Sequence, residues 1–412
     1  MSGLLTRRAV LLAGLEGSYN QPETLGAGHG LLVENPDYRV DPTVLERNFA
    51  RADLSPLPHM IGRKLARMTF RTELRGNGRQ QSGSLGDTPR IARLFEACGY
   101  ALTAMPDPEA TQVFPTGAHA VPVAWSVADG MLATEEVIAY HLEVTTGGPS
   151  GTAEITVTSD TAGESNAAAP VVSASAMNIG DSGLQATPSF SGSLEPGQSW
   201  VLWALPTGLR LDPVSDGFAS LHLDMFFDGT RHRLTGGRGT FTLNAEAGQY
   251  ATVDWDFVGQ YHAPVDAALP VPTFETTLPP MVELARLRLD GYSAVVNAAS
   301  FTQGNDLQPR PDVNAADGYD GVRIVDRAPE GGIDPEAALV ASHDFWGRMA
   351  AARRMPLQMR VGRAPGNTVW LLAPGVQYTG LTYRDRNGQR AYDAGLKFTR
   401  SSGNDEVAFV LA

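Results

Sequence analysis

Apolar and polar residues alternate with a period of two along much of the chain, which predicts β-strands with one buried face. Residues 66–74, 251–257 and 389–398 show this pattern most clearly. Successive side chains of a strand point to opposite faces, so the pattern fits a sheet with one face in a core and the other in water. Asp228-Gly229 and Asn387-Gly388 predict hairpin turns, because these residue types tolerate a positive φ. The chain is therefore expected to be mainly β with flanking helices.

One helix is predicted at residues 88–98. Asp87 or Thr88 would cap it, Pro89 occupies the first turn, where no backbone donor is needed, and Gly99 ends it. Its apolar residues recur at helical spacing and form one buried face: Ile91, Leu94, Phe95 and Cys98. We therefore expect the thiol of Cys98 to be buried and structural.

A second helix is predicted at residues 342–353, with Ser342 as its cap and Phe345, Met349 and Ala352 facing inward. A strand at 322–325 precedes it, and a closing hairpin at 386–398 follows it. The first half of the chain has the same order of strand, helix and closing hairpin. This repetition indicates that one building block is used twice.

Residues 105–212 interrupt the first copy and are rich in small residues, with short strands at 153–158 and 199–203. We expect an inserted Ig-like β-sandwich here, on the outer surface, where insertions are tolerated. The predicted organisation is a discontinuous first domain at 1–104 and 213–265, the insertion at 105–212, and a second domain at 266–412.

The charge balance argues against tight nucleic-acid binding. The chain has 45 acidic and 32 basic side chains and a formal charge of −13, whereas DNA-binding surfaces need clustered Lys and Arg. The single cysteine rules out an internal disulfide, and no apolar stretch reaches the roughly 18 residues of a membrane helix. At the start, Arg7-Arg8 precede a short apolar run that ends before Glu16, which favours a first β-strand over an export signal.

Patterns that could carry chemistry have simpler explanations. The glycine-rich segment 26–30 lacks the Gly-Lys-Ser/Thr of a phosphate loop, so an ordinary loop is favoured. The acidic segment 312–320 misses the calcium-loop spacing, and a solvated turn is favoured over a metal site. His343 is expected at the surface. The tryptophans of the insertion are expected in a core and not on a sugar-binding face: Trp125, Trp200 and Trp203. We expect no enzymatic activity, cofactor or metal.

Several segments carry a family resemblance. The most distinctive stretches are LDPVSDGF at 211–218 and FDGTRHRLTGGRG at 227–239. Further segments are LLTRRAVLLA at 4–13, EGSY at 16–19, YHAPVDAALP at 261–270, IVDRAP at 324–329 and SSGNDE at 401–406. In these segments the sequence resembles the major tail tube proteins of long-tailed (siphovirus-type) bacteriophages and prophages, and the resemblance covers most of the chain outside 105–212.

The resemblance implies the tail-tube fold, in which two β-sheets pack with a helix on the flank, and the repetition described above predicts a duplicated fold with two copies of this unit. Inner strands of neighbouring subunits would join into a closed β-barrel. Two copies per chain predict homotrimeric rings with pseudo-sixfold symmetry; the alternative is a hexamer of the whole chain. Head-to-tail stacking of rings generates a helical filament. The implied place is the virion tail, after assembly in the host cytoplasm, and the implied partners are a tape-measure protein, a tail terminator and distal tail proteins.

Within such a tube, DNA would pass through the lumen during ejection without specific binding. The lumen-facing candidates are the polar residues of the two closing hairpins: Thr252, Asp254, Asp256, Gln389, Asp393 and Lys397. Alternatively, these side chains pack against neighbours or face outward. A different hypothesis is a minor tail or adhesion protein whose 105–212 sandwich binds a glycan.

Overall fold

The computed structural model describes residues 8–79, 82–117, 119 and 121–412, and strands joined by turns dominate it. The predicted mainly β class is confirmed. The predicted first strand is present from Ala9, while its segment before Arg8 lies outside the described residues. The first strands are Ala9–Leu15 (β1), Gly30–Leu31 (β2), Glu34–Leu45 (β3), Met60–Glu73 (β4) and Tyr100–Met105 (β5).

Helix α1 spans Ala92–Ala97 and is shorter than the predicted helix at 88–98. A 3-10 turn at Leu85–Asp87 precedes it, and the hydroxyl of Thr88 donates to the carbonyl of Leu85 at 2.7 Å. Thr88 is therefore part of that turn and does not cap the helix, whereas the side chain of Asp87 lies outside the described part. Gly99 has φ +92° and ends the helix, and Cys98 is fully buried; both were predicted.

Residues 109–205 form a two-layer β unit of their own, which we call the small unit. One layer contains Glu109–Ala110 (β6), Phe114–Thr116 (β7), Ile138–Thr146 (β9), Glu154–Ser159 (β10), Asn166–Pro170 (β11) and Ser199–Leu205 (β14). The other contains Ala124–Ala128 (β8), Met177–Ile179 (β12) and Leu184–Ser189 (β13). Trp200 and Trp203 are buried, and Trp125 is half-buried with its ring centroid 5.4 Å from that of Trp200, so all three pack in cores.

The chain then returns to the main sheet, in which β15 pairs with β5. The strands of this segment are Gly208–Pro213 (β15), Leu221–Phe227 (β16), Thr230–Glu246 (β17), Thr252–Tyr261 (β18) and Val265–Asp266 (β19). The long strand β17 pairs with β16 through its first half and along most of its length with β18. Asp228-Gly229 forms the turn between β16 and β17, with φ +105° at Gly229, as predicted.

The second half of the chain adds Arg288–Leu289 (β20), Val296–Thr302 (β21), Asn305–Pro311 (β22), Tyr319–Arg327 (β23), Glu330–Pro335 (β24), Met355–Val361 (β25), Val369–Arg386 (β26), Gln389–Phe398 (β27) and Ala408–Leu411 (β28). The predicted Asn387-Gly388 turn joins β26 to β27, with φ +54° and +82°. Both residues lie in the left-handed region that a tight hairpin turn requires.

Helix α2 spans Phe345–Ala350, inside the predicted range 342–353. The carboxylate of Asp344 accepts a hydrogen bond of 2.8 Å from the backbone N–H of Gly347, so Asp344 and not Ser342 is the cap. Phe345 is buried and Met349 packs on the core, as predicted. Ala352 was predicted to face inward, but it lies beyond the helix, exposed, with φ +47°.

The two halves share one strand order. In the first half the order is β3–β4–β18–β17, and in the second it is β21–β24–β27–β26. The helix follows β4 in one half and β24 in the other, and β17 pairs with β21 to join the halves. The predicted strand at 322–325 lies in β23, which among the described residues pairs only with β22; β24 takes the place expected for it. Within the described residues the strand pairings form no closed barrel.

One apolar core extends under both halves. The ring of Phe95 on α1 lies 4.9 Å from the rings of Phe241 and Trp255, and 5.0 Å from that of Phe409 near the end of the chain. Phe301 of β21 packs 5.8 Å from Phe241. The core therefore covers one face of the joined sheet and leaves the opposite face mostly polar, apart from a small apolar cluster of Leu65, Val258 and Val322. Among the described residues, no helix has the length and apolar character that a membrane span needs.

Candidate functional site

The strand register gathers one row of polar residues on the sheet face opposite the core. Directly paired residues of antiparallel strands present their side chains to the same face. One row of such pairs crosses both halves, in the order Glu34, Arg71, Asp254, Thr242, Thr302, Glu330, Lys397 and Gln377. We call this row, with the residues on the same side of its strands, the polar face.

Asp254 lies in the middle of the polar face. Its carboxylate accepts hydrogen bonds from Arg71 at 2.7 and 3.1 Å and from Asn244 at 3.0 Å. The bidentate contact raises the pKa of the Arg71 guanidinium. Asp254 therefore links β18 to the strands on both of its sides.

The other two candidates on β18 flank Asp254. Asp256 pairs with Arg67 at 3.4 Å, and burial raises the pKa of its carboxyl group, although the charge of Arg67 opposes this. Thr252 lies opposite Glu73 on one side and Asn244 on the other. All three candidates on β18 therefore share the polar face.

The candidates on β27 are more exposed. Lys397 lies opposite Glu330 and Gln377, whereas Asp393 and Gln389 lie further along the same side of the strand, toward the hairpin tip. The structure therefore brings the candidates of both hairpins onto one continuous sheet. The sequence placed them on two separate hairpins and gave no sign of the strands between them.

Five members of the row were missed from the sequence: Glu34, Thr242, Thr302, Glu330 and Gln377. The alternation at 66–74 had already assigned Arg71 to the solvent side. No comparable pattern predicts the position of Glu330. Two glycines follow it, so apolar and polar residues do not alternate around it. Its place depends on pairing between strands that lie far apart in the chain.

Both ends of the joined sheet have unpaired strand edges. Among the described residues, β3 pairs only with β4, and β26 beyond Gln377 pairs only with β27. Strand edges of this kind are templates for pairing with another chain. The sheet is therefore open at both ends within one molecule.

Two of the three carboxylates in the acidic segment at 312–320 form ion pairs. Asp317 pairs with Lys64 at 3.1 Å, and Asp320 pairs with Arg310 at 2.8 Å. Over the described residues, no cluster of His, Cys, Asp and Glu has an arrangement that could hold a metal ion. In the glycine-rich segment, Ala27–His29 forms a 3-10 turn and Gly30 begins β2.

His343 is buried, so its predicted surface position is wrong. Its ring stacks on Tyr292 at 4.6 Å, and Nε2 lies 3.2 Å from the hydroxyl of Tyr378. Burial lowers the pKa of the imidazole to about 4, assisted by the positive charge of Arg348. The pattern around residue 343 indicated only a helix start, and the aromatic pocket depends on β26 and the segment before β21.

A family model described as phage tail tube protein matches residues 168–380, just over half of the chain. The matched segment begins in β11 of the small unit and ends in β26. It therefore includes parts of the small unit and of both halves. No curated protein sequence matches the chain.

Proposed function

The chain belongs to the phage tail tube protein family, and we propose that its copies assemble into stacked rings that form the channel for DNA delivery. The family gives the chain a structural role in the virion tail. The observation that carries the ring proposal is the pair of unpaired edges, β3 and β26, at opposite ends of one sheet.

The strand pairing that joins the two halves within the chain indicates how β3 and β26 of neighbouring chains would pair. Inside the chain, β21 of the second half pairs with β17 of the first, through Thr302 opposite Thr242. Because β3 corresponds to β21 and β26 to β17, the same joint between two chains would pair β3 with β26 of a neighbour. On these two edges Asp37 and Thr382 both belong to the polar face, since Asp37 pairs through Thr69 with Asp256, and Thr382 pairs with Asp393. Repetition of the joint would close the open sheets into a β-barrel shared by the subunits.

Two equivalent units per chain favour three chains per ring. A homotrimer then presents six similar units with pseudo-sixfold symmetry, whereas a hexamer of the whole chain would present twelve. The unit boundaries we propose are 1–104 with 213–265, and 266–412, with the Ig-like insertion 105–212 on the outside of the ring. The insertion joins the first unit through the paired strands β5 and β15.

In this assembly the polar face lines the lumen, since the opposite face is occupied by the apolar core. Its acidic residues, including Asp254, Asp256, Asp393 and Glu330, would repel the phosphates of passing DNA and disfavour adhesion. Rings stacked head-to-tail would extend until other components stop them. We propose a tape-measure protein and a tail terminator for that purpose, distal tail proteins at the tip, and assembly in the host cytoplasm.

Electron microscopy of the purified protein tests the proposal. We expect hollow tubes or rings, with three copies of the chain in each ring by native mass spectrometry. Six copies per ring would contradict the trimer but not the tube. Persistent monomers over a range of concentrations and salt conditions would contradict ring assembly itself.

A further inference from the structure

We propose that residues 46–59, which connect β3 to β4, lie on the second half of the neighbouring chain in the ring. They would occupy the depression beside Lys397 and Arg400. This inference rests on the proposed ring and adds to it a second contact between chains. It names the segment that binds and the surface that receives it.

A comparable contact exists inside the chain. The hairpin β22–β23, which connects β21 to β24, lies on the first half. Val322 of this hairpin packs with Leu65 of β4 and Val258 of β18. In the turn of the same hairpin, Asp317 pairs with Lys64 at 3.1 Å. An apolar contact and an ion pair thus hold the connection of one half on the strands of the other.

The shared strand order gives residues 46–59 the corresponding place. They connect β3 to β4 as β22–β23 connects β21 to β24. If β3 pairs with β26 of a neighbour as β21 pairs with β17, the segment 46–59 comes to lie over β24 and β27 of that neighbour. The strands β4 and β18 correspond to β24 and β27.

The receiving surface is an open depression of about 770 Å³ at the ends of β23 and β27. Lys397 and Arg400 line it and are exposed, and neither has an ion pair among the described residues. The neighbouring Arg327 is already held by the carboxylate of Glu406 and by Asn404 at 2.6 Å. The depression therefore exposes two basic side chains that have no ion pair among the described residues, next to Arg327, which is already bound.

The segment 46–59 offers exposed apolar side chains and one carboxylate without an ion pair among the described residues, while Arg51 pairs with Asp53 at 3.2 Å and Arg47 lies over the ring of Phe49. Phe49 is 66% exposed and Leu54 is fully exposed. Glu46 has no ion pair among the described residues, so it is available to Lys397 or Arg400. Large exposed apolar side chains beside other exposed apolar residues, here Val44 and Met60, are typical of protein–protein interfaces.

Cross-linking in mixed assemblies tests the contact directly. One population carries Leu54→Cys and the other Lys397→Cys, and tubes grown from the mixture are treated with a short bis-maleimide. We expect a covalent dimer that contains one chain of each population. Replacing Lys397→Cys by Met131→Cys, an exposed position on the small unit, should remove that dimer. Intact tubes without the Leu54–Lys397 dimer would overturn this inference and leave the tube proposal standing.

A double variant tests the energetic role of the segment. Phe49→Ser with Leu54→Ser changes only exposed side chains, so the monomer should keep its fold. We expect the concentration needed for tube assembly to rise about tenfold or more, because apolar burial is lost at every joint. The control Met131→Ser, which also removes an exposed apolar side chain, should leave that concentration unchanged. Equal assembly by the double variant and the control would contradict the inference; failure of the unmodified chain to assemble would instead contradict the proposed function.

Discussion

The indole nitrogen of Trp203 donates a hydrogen bond of 3.0 Å to Oε1 of Gln358, and both side chains are buried. Trp203 belongs to the small unit, whereas Gln358 lies on β25 of the second half. The indole packs in an apolar cluster with Trp370 and Leu372 of β26. Ion pairs of 2.6 Å between Arg286 and Glu136 and of 2.9 Å between Arg288 and Asp160 border the contact. The small unit is therefore fixed to the second half by a buried interface.

Trp203→Ala is expected to lower the free energy of unfolding by about 3–5 kcal/mol, since it empties a large buried site and leaves Gln358 without its donor. Trp346→Ala is the matched control, because the indole of Trp346 is 37% exposed, and its effect should be less than half as large. Chemical denaturation followed by circular dichroism measures both. Equal effects would show that the interface contributes little.

The local patterns predicted the elements better than their ends. Period-two alternation located β4, β18 and β27, and the hairpin turns followed from Asp-Gly and Asn-Gly. The predicted ends of the helices were less accurate. The hydroxyl of Thr88 bonds within the preceding 3-10 turn. Asp344 caps α2 in place of Ser342, because its carboxylate accepts a hydrogen bond from the N–H of Gly347. Several polar residues can cap a helix, and tertiary packing decides which of them does so.

The candidate site could be predicted only in part. Alternation assigned Asp254 and Lys397 to polar faces, but their common face depends on the pairing of β17 with β21. That pairing joins residues that lie 52 to 60 positions apart in the chain, and nothing in the sequence nearby specifies it. His343 shows the same limit, because its pocket is built by Tyr292 and Tyr378 from distant segments.

The buried His343 should make stability depend on pH. Its folded pKa of about 4 lies below the ordinary value of 6.5, so the unfolded chain binds the proton more tightly. Its contribution is then complete above pH 6.5 and is lost as the pH falls toward 4, by at most about 3 kcal/mol. Asp290, Asp344, Arg348 and Arg353 also act on the imidazole.

To isolate this effect, the free energy of unfolding of His343→Gln is compared with that of the unmodified chain at pH 7 and at pH 4.5. We expect the variant to be less stable at pH 7, with a smaller loss on acidification. His59→Gln, at an exposed position, should follow the unmodified chain. Parallel pH curves for His343→Gln and the unmodified chain would rule out the proposed role of the imidazole.

The proposed pairing of β3 with β26 of a neighbouring chain predicts that a disulfide can be engineered between chains. Asp37→Cys combined with Thr382→Cys should give covalent multimers after mild oxidation of assembled protein, since both positions lie on unpaired edges and on the polar face. Shifting the second cysteine to Gly380 or Arg384, which lie on the same face, tests the register, because directly opposite positions react best. The native Cys98 is fully buried and should not interfere. Non-reducing gel electrophoresis gives the result, and a ladder that ends at three chains would support a trimer.

Charge reversal on the polar face should slow DNA ejection. Asp393 is the suitable position, because it is exposed and has no ion pair among the described residues, whereas reversal at Asp254 would also break its contact with Arg71. Asp393→Lys places a repeated positive charge in the proposed lumen, where it would attract phosphates. We expect ejection about two- to tenfold slower, with a larger effect at low salt, because counterions screen the attraction.

Glu195→Lys makes the same charge change at an exposed site of the small unit and should leave the rate unaltered. Ejection followed by dye fluorescence from virions with tails of normal length compares the two variants. If Asp393→Lys virions eject as fast as Glu195→Lys virions, the polar face does not line the lumen, and the sheet would have to turn that face toward a neighbouring subunit.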